Sequence, residues 1–170
     1  TQYLPLSLNE HIGVGKPWDL DRRDSSLTLL QPHKEWYSGT ADAVLQNVNF
    51  IKRKNPKYVV ILSGDHIYKM NYQKMIDFHV ANNSKCTIAV QPVAWEDAHR
   101  FGILNTDENM KITRFDEKPA KPESNLASMG IYVFDTDALL EAITSVEDPN
   151  LDFGKHIIPY MLTKTDLYTY

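Results

Sequence analysis

The feature that most constrains the fold is a pair of apolar segments, residues 58–63 and 86–93, with an amphipathic segment at 71–83 between them. The apolar segments are rich in Val and Ile and are short, which is typical of strands, and the segment between them has apolar residues at helical spacing. A strand, a helix and a second strand at this spacing predict a βαβ unit with a right-handed connection. The pattern therefore predicts a largely parallel sheet.

The second half of the chain has a different pattern. Two short apolar segments flank a polar cluster at 107–109, which predicts an antiparallel hairpin. Further elements are predicted from caps and periodicity: a helix at 41–54 capped by Thr40, a strand at 127–134, a helix from Thr136 or Asp137 to about 143, and a helix at 153–162. Residues 1–170 are thus predicted to form an α/β, Rossmann-like domain, with a mostly parallel sheet and an inserted antiparallel hairpin.

Composition narrows the functional classes. A net charge of −4 at pH 7 argues against a nucleic-acid partner, since binding a phosphate backbone requires a basic face. No apolar run reaches membrane-spanning length, and the N-terminus lacks the features of a signal peptide. The single cysteine, Cys86, excludes an internal disulfide and fits a reducing compartment. We therefore expect a cytoplasmic protein with neither a nucleic-acid nor a membrane partner.

The first predicted strand ends in Ser-Gly-Asp-His, which makes Asp65 the first candidate site residue. Ligands of open α/β sheets bind at the carboxyl ends of strands, so this carboxylate could bind a divalent metal or a sugar hydroxyl. The alternative is that Asp65 caps the next helical region or turns the chain. Its position alone supports both interpretations equally.

Three other places carry residues suited to phosphate or metal chemistry. Gly39 and Thr40 precede a predicted helix, whose N-terminus could bind an anion, although an ordinary Thr cap is favoured. Glu117 and Lys118 precede a proline, which predicts an extended backbone, and they are either a solvated pair or sugar-phosphate ligands. Asp152 is a candidate second carboxylate for magnesium.

Six segments together carry a more specific signal: WYSGTADAVLQN, YVVILSGDHIYKMNY, FGILNTDENMKI, DEKPAKP, NLASMGIYVF and DFGKHIIP. In this order they resemble the glucose-1-phosphate adenylyltransferases, the bacterial ADP-glucose pyrophosphorylases of glycogen synthesis, within the wider sugar nucleotidyltransferase family. The resemblance covers nearly the whole chain. It implies a homotetrameric parent enzyme that transfers adenylyl from ATP to glucose 1-phosphate and releases pyrophosphate, with Mg²⁺ as cofactor.

The resemblance also implies roles for individual residues. Asp65 and Asp152 would hold Mg²⁺. Lys118 would bind the phosphate of glucose 1-phosphate, and Glu117 would accept hydrogen bonds from the glucose hydroxyls. Ser128 and Gly102 would line the glucose pocket. The residues near the nucleotide would be Tyr37, Gly39, Thr40 and Gln31.

Compared with that family, the sequence lacks the N-terminal Gly-rich segment that cradles the triphosphate and the C-terminal left-handed β-helix. We therefore expect residues 1–170 to be a partial catalytic domain with little or no activity by itself. Two alternatives stay open: a sugar-1-phosphate nucleotidyltransferase that uses UTP or dTTP, and a non-catalytic regulatory subunit of the same fold. The presence of Asp65, Glu117, Lys118 and Asp152 favours catalysis over the regulatory subunit.

Overall fold

The computed structural model describes residues 5–21, 27–32 and 36–170. Its helices and strands follow in the order α1 Pro5–Ile12, α2 Thr40–Leu45, α3 Val48–Lys54, β1 Tyr58–Ile61, α4 Tyr72–Ala81, β2 Cys86–Pro92, β3 Gly102–Thr106, β4 Ile112–Glu117, β5 Leu126–Asp135, α5 Thr136–Ser145, α6 Ile158–Leu162 and β6 Tyr168–Thr169. A single π-helical turn, Phe153–Ile157, leads into α6. Within the described ranges, no helix has the length and apolar character needed to cross a membrane.

The six strands form one sheet in the order β4-β3-β5-β2-β6, with β1 paired to β5. Among the described strands, β2 and β6 are the one parallel pair, and the other pairs are antiparallel. The α/β class is confirmed, but the predicted mostly parallel sheet is wrong. The reason is β5: β1 and β2 run in the same direction, as the βαβ pattern predicts, but β5 lies between them and is antiparallel to both.

The inserted antiparallel hairpin is confirmed. β3 and β4 pair from Gly102 opposite Glu117 to Thr106 opposite Ile112. Asp107 closes the turn between them, because its Oδ1 accepts hydrogen bonds from the backbone N–H groups of residues 109 and 111. The hairpin brings the end of β4 back to the start of β3.

A gap in the sheet opens along β5. β2 pairs with one edge of β5 at residues 126–128 and 132–134, with a register shift between the two stretches. On the other edge, β3 pairs with residues 126–127 and β1 with residues 132–135. Residues 128–131 therefore have no strand partner on that edge within the described part of the chain. The end of β1 and the start of β3 face each other across this gap.

Helices cover both faces of the sheet. Side chains of β5 alternate between the faces, so Tyr132 and Phe134 pack with α2, α5, α6 and the π turn, where the ring of Phe153 lies 5.4 Å from that of Tyr132. Ile131 and Val133 point to the other face, where they pack against Met75 of α4. The two cores fix β5 and, with it, the position of the gap.

The segment predicted as one helix at 41–54 forms two helices, because the helix is interrupted at residues 46–47. The side chain of Asn47 causes the break: its Nδ2 donates to the Ala43 carbonyl oxygen at 2.8 Å. In a continuous helix the backbone N–H of residue 47 would take that acceptor. It donates instead to the Val44 carbonyl oxygen, and α3 starts again from Asn47 as its N-cap.

Buried His79 on α4 should make the stability of the fold depend on pH. The residue is 1% exposed, its Nδ1 lies 2.8 Å from Thr87 Oγ1, and its Nε2 has no hydrogen-bond partner among the described residues. Burial lowers the pKa of His79, and the nearby carboxylate of Asp135 opposes this only in part. The unfolded chain then binds the proton at higher pH than the folded one does. The free energy of unfolding should therefore decrease as the pH falls below the ordinary histidine value, by at most about 1.4 kcal/mol per pH unit.

Urea unfolding between about pH 8 and about pH 5 measures this dependence. The variant His79→Gln is the matched control, since its amide can bond to Thr87 but cannot titrate. Its unfolding free energy should vary less with pH than that of the unmodified protein. The same slope in both proteins would contradict this assignment of the pH dependence.

Candidate functional site

A cavity of about 450 Å³ lies at the gap in the sheet. Its walls come from the end of β1 and the loop after it, the start of β3, the end of β4, the unpaired part of β5, α2 and residues 152–154. Six of the ten residues predicted for the site line this cavity: Thr40, Asp65, Gly102, Glu117, Ser128 and Asp152. Lys118 lies at its edge beside Glu117. The other three, Gln31, Tyr37 and Gly39, are not among the lining residues.

The loop after β1 presents an unengaged carboxylate to the cavity. Asp65 is exposed, and its carboxylate has no hydrogen bond or ion pair with any described residue. Gly64 before it has open space at the position of a Cβ, with nothing within 4 Å, and its φ is outside the left-handed region. Contacts within the described part of the chain therefore explain neither residue, and both are accessible to a ligand.

The segment of β5 from Ser128 to Tyr132 forms the floor of the cavity and carries two hydroxyl groups. Gly130 has a φ of +67°, and its N–H donates to Ser128 Oγ at 3.3 Å, so the strand bulges here. Ser128 and Tyr132 both line the cavity, and burial raises the pKa of Tyr132 to about 12. Tyr132 is therefore neutral near pH 7. Each of the two hydroxyls has one hydrogen that it can donate.

Glu117 and Lys118 form a charged pair at the opposite wall. Lys118 Nζ lies 3.9 Å from Glu117 Oε1, with the lysine side chain 64% and the glutamate side chain 28% exposed. The extended backbone predicted for Lys118 is wrong, since its φ is +50°. Its N–H donates to the Phe101 carbonyl oxygen at 3.0 Å, one step beyond the last pair of the β3–β4 ladder, and this bond helps to hold the left-handed turn. Such a conformation costs about 1–2 kcal/mol for a residue with a side chain.

Asp152 stabilises the local structure of a third wall. Its Oδ1 accepts from the Lys155 N–H at 3.1 Å, which caps the π turn, and its Oδ2 accepts from Thr40 Oγ1 at 2.8 Å. The Thr40 hydroxyl in turn accepts from the Phe153 N–H at 3.2 Å. Asp152 thus connects α2 to the π turn. Each of its oxygens keeps a second lone pair that could contact a ligand.

The N-terminus of α2 is occupied by the protein itself. The N–H groups of Ala41 and Asp42 both donate to the Leu151 carbonyl oxygen at 3.0 Å. The N-cap is Gly39 and not the predicted Thr40, whose hydroxyl bonds to Asp152. The structure therefore shows an ordinary helix start here, and these two donors are not directed at an anion.

Two glycines near the site should differ in how much substitution by alanine destabilises the fold. A Cβ on Gly39 would overlap the Leu151 carbonyl oxygen, which belongs to the backbone, whereas a Cβ on Gly64 would have no described atom within 4 Å. We expect Gly39→Ala to lower the free energy of unfolding by about 1–3 kcal/mol. Gly64→Ala should change it by no more than about 0.5 kcal/mol. Chemical denaturation of both variants checks this, and equal stabilities would contradict the close packing at Gly39.

The two predicted metal ligands, Asp65 and Asp152, line the same cavity. The described residues contain no group of three or more His, Cys, Asp or Glu side chains that could hold a metal ion by themselves. Magnesium is usually bound through one or two carboxylates, with water and substrate phosphates as the other ligands. The carboxylates present fit that ion in combination with a phosphate ligand.

The family model described as Nucleotidyl transferase matches residues 1–170. Among curated relatives named glucose-1-phosphate adenylyltransferase, the chain is 55% identical over 170 residues to that of Acetivibrio thermocellus, covering 95% of this chain and 40% of the relative. It is 55% identical over 179 residues to that of Clostridium acetobutylicum, covering 100% and 47%. For the Geobacillus stearothermophilus protein the identity is 53% over 171 residues, covering 95% and 44%. The chain spans less than half the length of these relatives.

Proposed function

Because the chain belongs to the nucleotidyl transferase family, we propose that the protein transfers adenylyl from ATP to glucose 1-phosphate, giving ADP-glucose and pyrophosphate. The observation that carries this proposal is that Asp65, Glu117 and Ser128 converge on one cavity. It is supported by the 55% identity of the chain to relatives that bear the name of this activity.

The hydroxyls and the carboxylate of the cavity suit a sugar. A sugar hydroxyl both donates and accepts hydrogen bonds. Ser128 and Tyr132 carry hydroxyl hydrogens to donate, and the Glu117 carboxylate accepts. The cavity volume of about 450 Å³ is within the range of small-molecule sites. We therefore place the glucose ring between the floor of β5 and Glu117.

Lys118 supplies the positive charge that a sugar phosphate requires. In the proposed reaction, a phosphate oxygen of glucose 1-phosphate attacks the α-phosphorus of ATP and pyrophosphate leaves in line. Such a transfer depends on positioning and on charge neutralisation, because two anions must approach each other. Lys118 is largely exposed at the cavity edge, so its ammonium group can reach a phosphate there.

Asp65 is the carboxylate best placed to hold Mg²⁺, with Asp152 as the second predicted ligand. The carboxylate of Asp65 has no partner in the described chain, whereas both oxygens of Asp152 already accept hydrogen bonds. Bound Mg²⁺ would supply charge neutralisation at the phosphate oxygens. The open space at Gly64 would let the phosphates approach the backbone next to Asp65.

The assignment of the nucleotide-binding residues rests mainly on the resemblance to the adenylyltransferases. Of the four residues predicted there, Thr40 alone lines the cavity, and its hydroxyl is engaged with Asp152. Tyr37 accepts a hydrogen bond from Asn47 Nδ2 at 3.0 Å, and Gln31 is exposed. The preference for ATP, the homotetrameric assembly and the cytoplasmic location are therefore proposed from the likeness to the adenylyltransferases.

Pyrophosphate release by the full-length protein tests the proposed function. The assay contains glucose 1-phosphate, Mg²⁺ and one of ATP, UTP or dTTP. We expect release with ATP to be at least about tenfold faster than with either of the other nucleotides. A preference for UTP or dTTP would support a different sugar nucleotidyltransferase. No release with any of the three would support the non-catalytic regulatory subunit.

A further inference from the structure

The carboxylate of Glu117 lies in a narrow space between two glycines from different parts of the chain. A Cβ on Gly102, which is paired with Glu117 across the β3–β4 ladder, would lie 3.0 Å from Glu117 Oε2. A Cβ on Gly154, in the π turn, would lie 2.9 Å from the same oxygen. Both distances are shorter than an ordinary van der Waals contact. A side chain at either position would therefore crowd the carboxylate in its present position.

Gly154 has no other evident reason to be glycine. Its φ is not in the left-handed region, and glycine is less favourable than alanine in a helical turn. The three atoms nearest to a Cβ at this position all belong to the carboxyl groups of Glu117 and Asp152. Gly102 differs, because a Cβ there would also lie 2.7 Å from Cζ of Phe115. A substitution at Gly154 thus affects Glu117 without disturbing an aromatic ring.

We infer that Gly154 is a positioning residue, which seats the Glu117 carboxylate at the wall of the cavity. In this seat Oε2 lies between the two glycines and Oε1 faces Lys118 Nζ. Alanine at position 154 would displace the end of the Glu117 side chain into the cavity, where the sugar is placed. The end of a glutamate side chain moves easily, so the effect falls on ligand binding more than on stability. The part of this inference that concerns the sugar rests on the proposed function.

The kinetic test uses Gly154→Ala in the full-length protein. We expect the KM for glucose 1-phosphate to rise about tenfold, with the KM for ATP changed by less than about twofold. In a Glu117→Asp background, whose shorter carboxylate does not reach as far, adding Gly154→Ala should change the KM for glucose 1-phosphate by less than about twofold. The inference is overturned if the KM for glucose 1-phosphate does not rise. It is also overturned if the same rise occurs in both backgrounds.

A crystal structure of Gly154→Ala tests the seating without reference to activity. We expect Glu117 Oε2 to move by more than about 1 Å from its position in the unmodified protein. An unmoved carboxylate would overturn the inference. If the unmodified protein does not turn over glucose 1-phosphate with any nucleotide, the proposed function fails, and this structural comparison still decides whether Gly154 seats Glu117.

Discussion

Replacing Asp65 with asparagine should lower kcat by about a thousandfold, or ~4 kcal/mol of transition-state stabilisation. Asparagine has nearly the same shape, but it lacks the negative charge that we propose holds Mg²⁺ at the reacting phosphates. Folding stability should not change, because the carboxylate of Asp65 has no partner in the described chain and its side chain is exposed. Steady-state rates together with the melting temperature separate a loss of chemistry from a loss of structure.

Asp77→Asn is the matched control for Asp65→Asn. Asp77 is an exposed carboxylate on α4 that accepts a hydrogen bond from Gln73 Nε2 at 2.8 Å, and it does not line the cavity. Its substitution removes the same charge and should change kcat by less than about twofold. Near-normal turnover of Asp65→Asn would exclude Asp65 from the mechanism.

Replacing Lys118 with alanine should raise the KM for glucose 1-phosphate by about 10- to 100-fold and the KM for ATP much less. The expected size corresponds to one charge-assisted hydrogen bond, about 1.5–3 kcal/mol. Lys118 is suited to this contact because its side chain is largely exposed and lies beside Glu117 at the cavity edge. Its strained backbone, with a φ of +50°, is also typical of a residue held for function.

Lys121→Ala provides the control for Lys118→Ala. Lys121 is an exposed lysine three residues further along the same loop and does not line the cavity. Its loss should leave both KM values within about twofold of the unmodified protein. If Lys118→Ala raised the KM values for glucose 1-phosphate and ATP equally, its assignment to the sugar phosphate would be wrong.

Local sequence patterns correctly predicted individual helices and strands. The helix predicted at 71–83 is found as α4, with Asn71 as its N-cap, and the strand predicted at 86–93 is found as β2. Strand pairing depends on distant parts of the chain, and there the patterns failed. β5 begins more than thirty residues after β2 ends, yet it lies between β1 and β2. Periodicity shows that a segment is a strand but does not show which strand lies beside it.

The helix break at residues 46–47 was missed for a different reason. Apolar residues recur at helical spacing through the break, so the pattern predicts one continuous helix. Asn47 ends the first helix with its side chain, which competes for a backbone carbonyl. The possible signal is the asparagine itself, a residue that often bonds to nearby backbone groups.

Two of the cavity residues that the motifs did not identify, Tyr132 and Gly154, have a role in this account. Tyr132 is four residues after Ser128 on one strand, and the alternation of side chains would place both on the same face of a regular strand. Gly154 is an isolated glycine at the start of a predicted helix, which is a signal for a close contact. Only the fold shows that Gly154 contacts Glu117, because the two residues are far apart in sequence.

The central claim is that the cavity at the gap in the sheet binds the sugar phosphate. A crystal structure of the full-length protein with glucose 1-phosphate tests it most directly. We expect the glucose ring between Ser128 and Glu117, with its phosphate within hydrogen-bonding distance of Lys118 Nζ. A second cavity of about 450 Å³ is lined in part by Lys85 and Lys164, whose ammonium groups could also attract a phosphate. Density for the sugar phosphate in that cavity, with none at the gap in the sheet, would contradict the account.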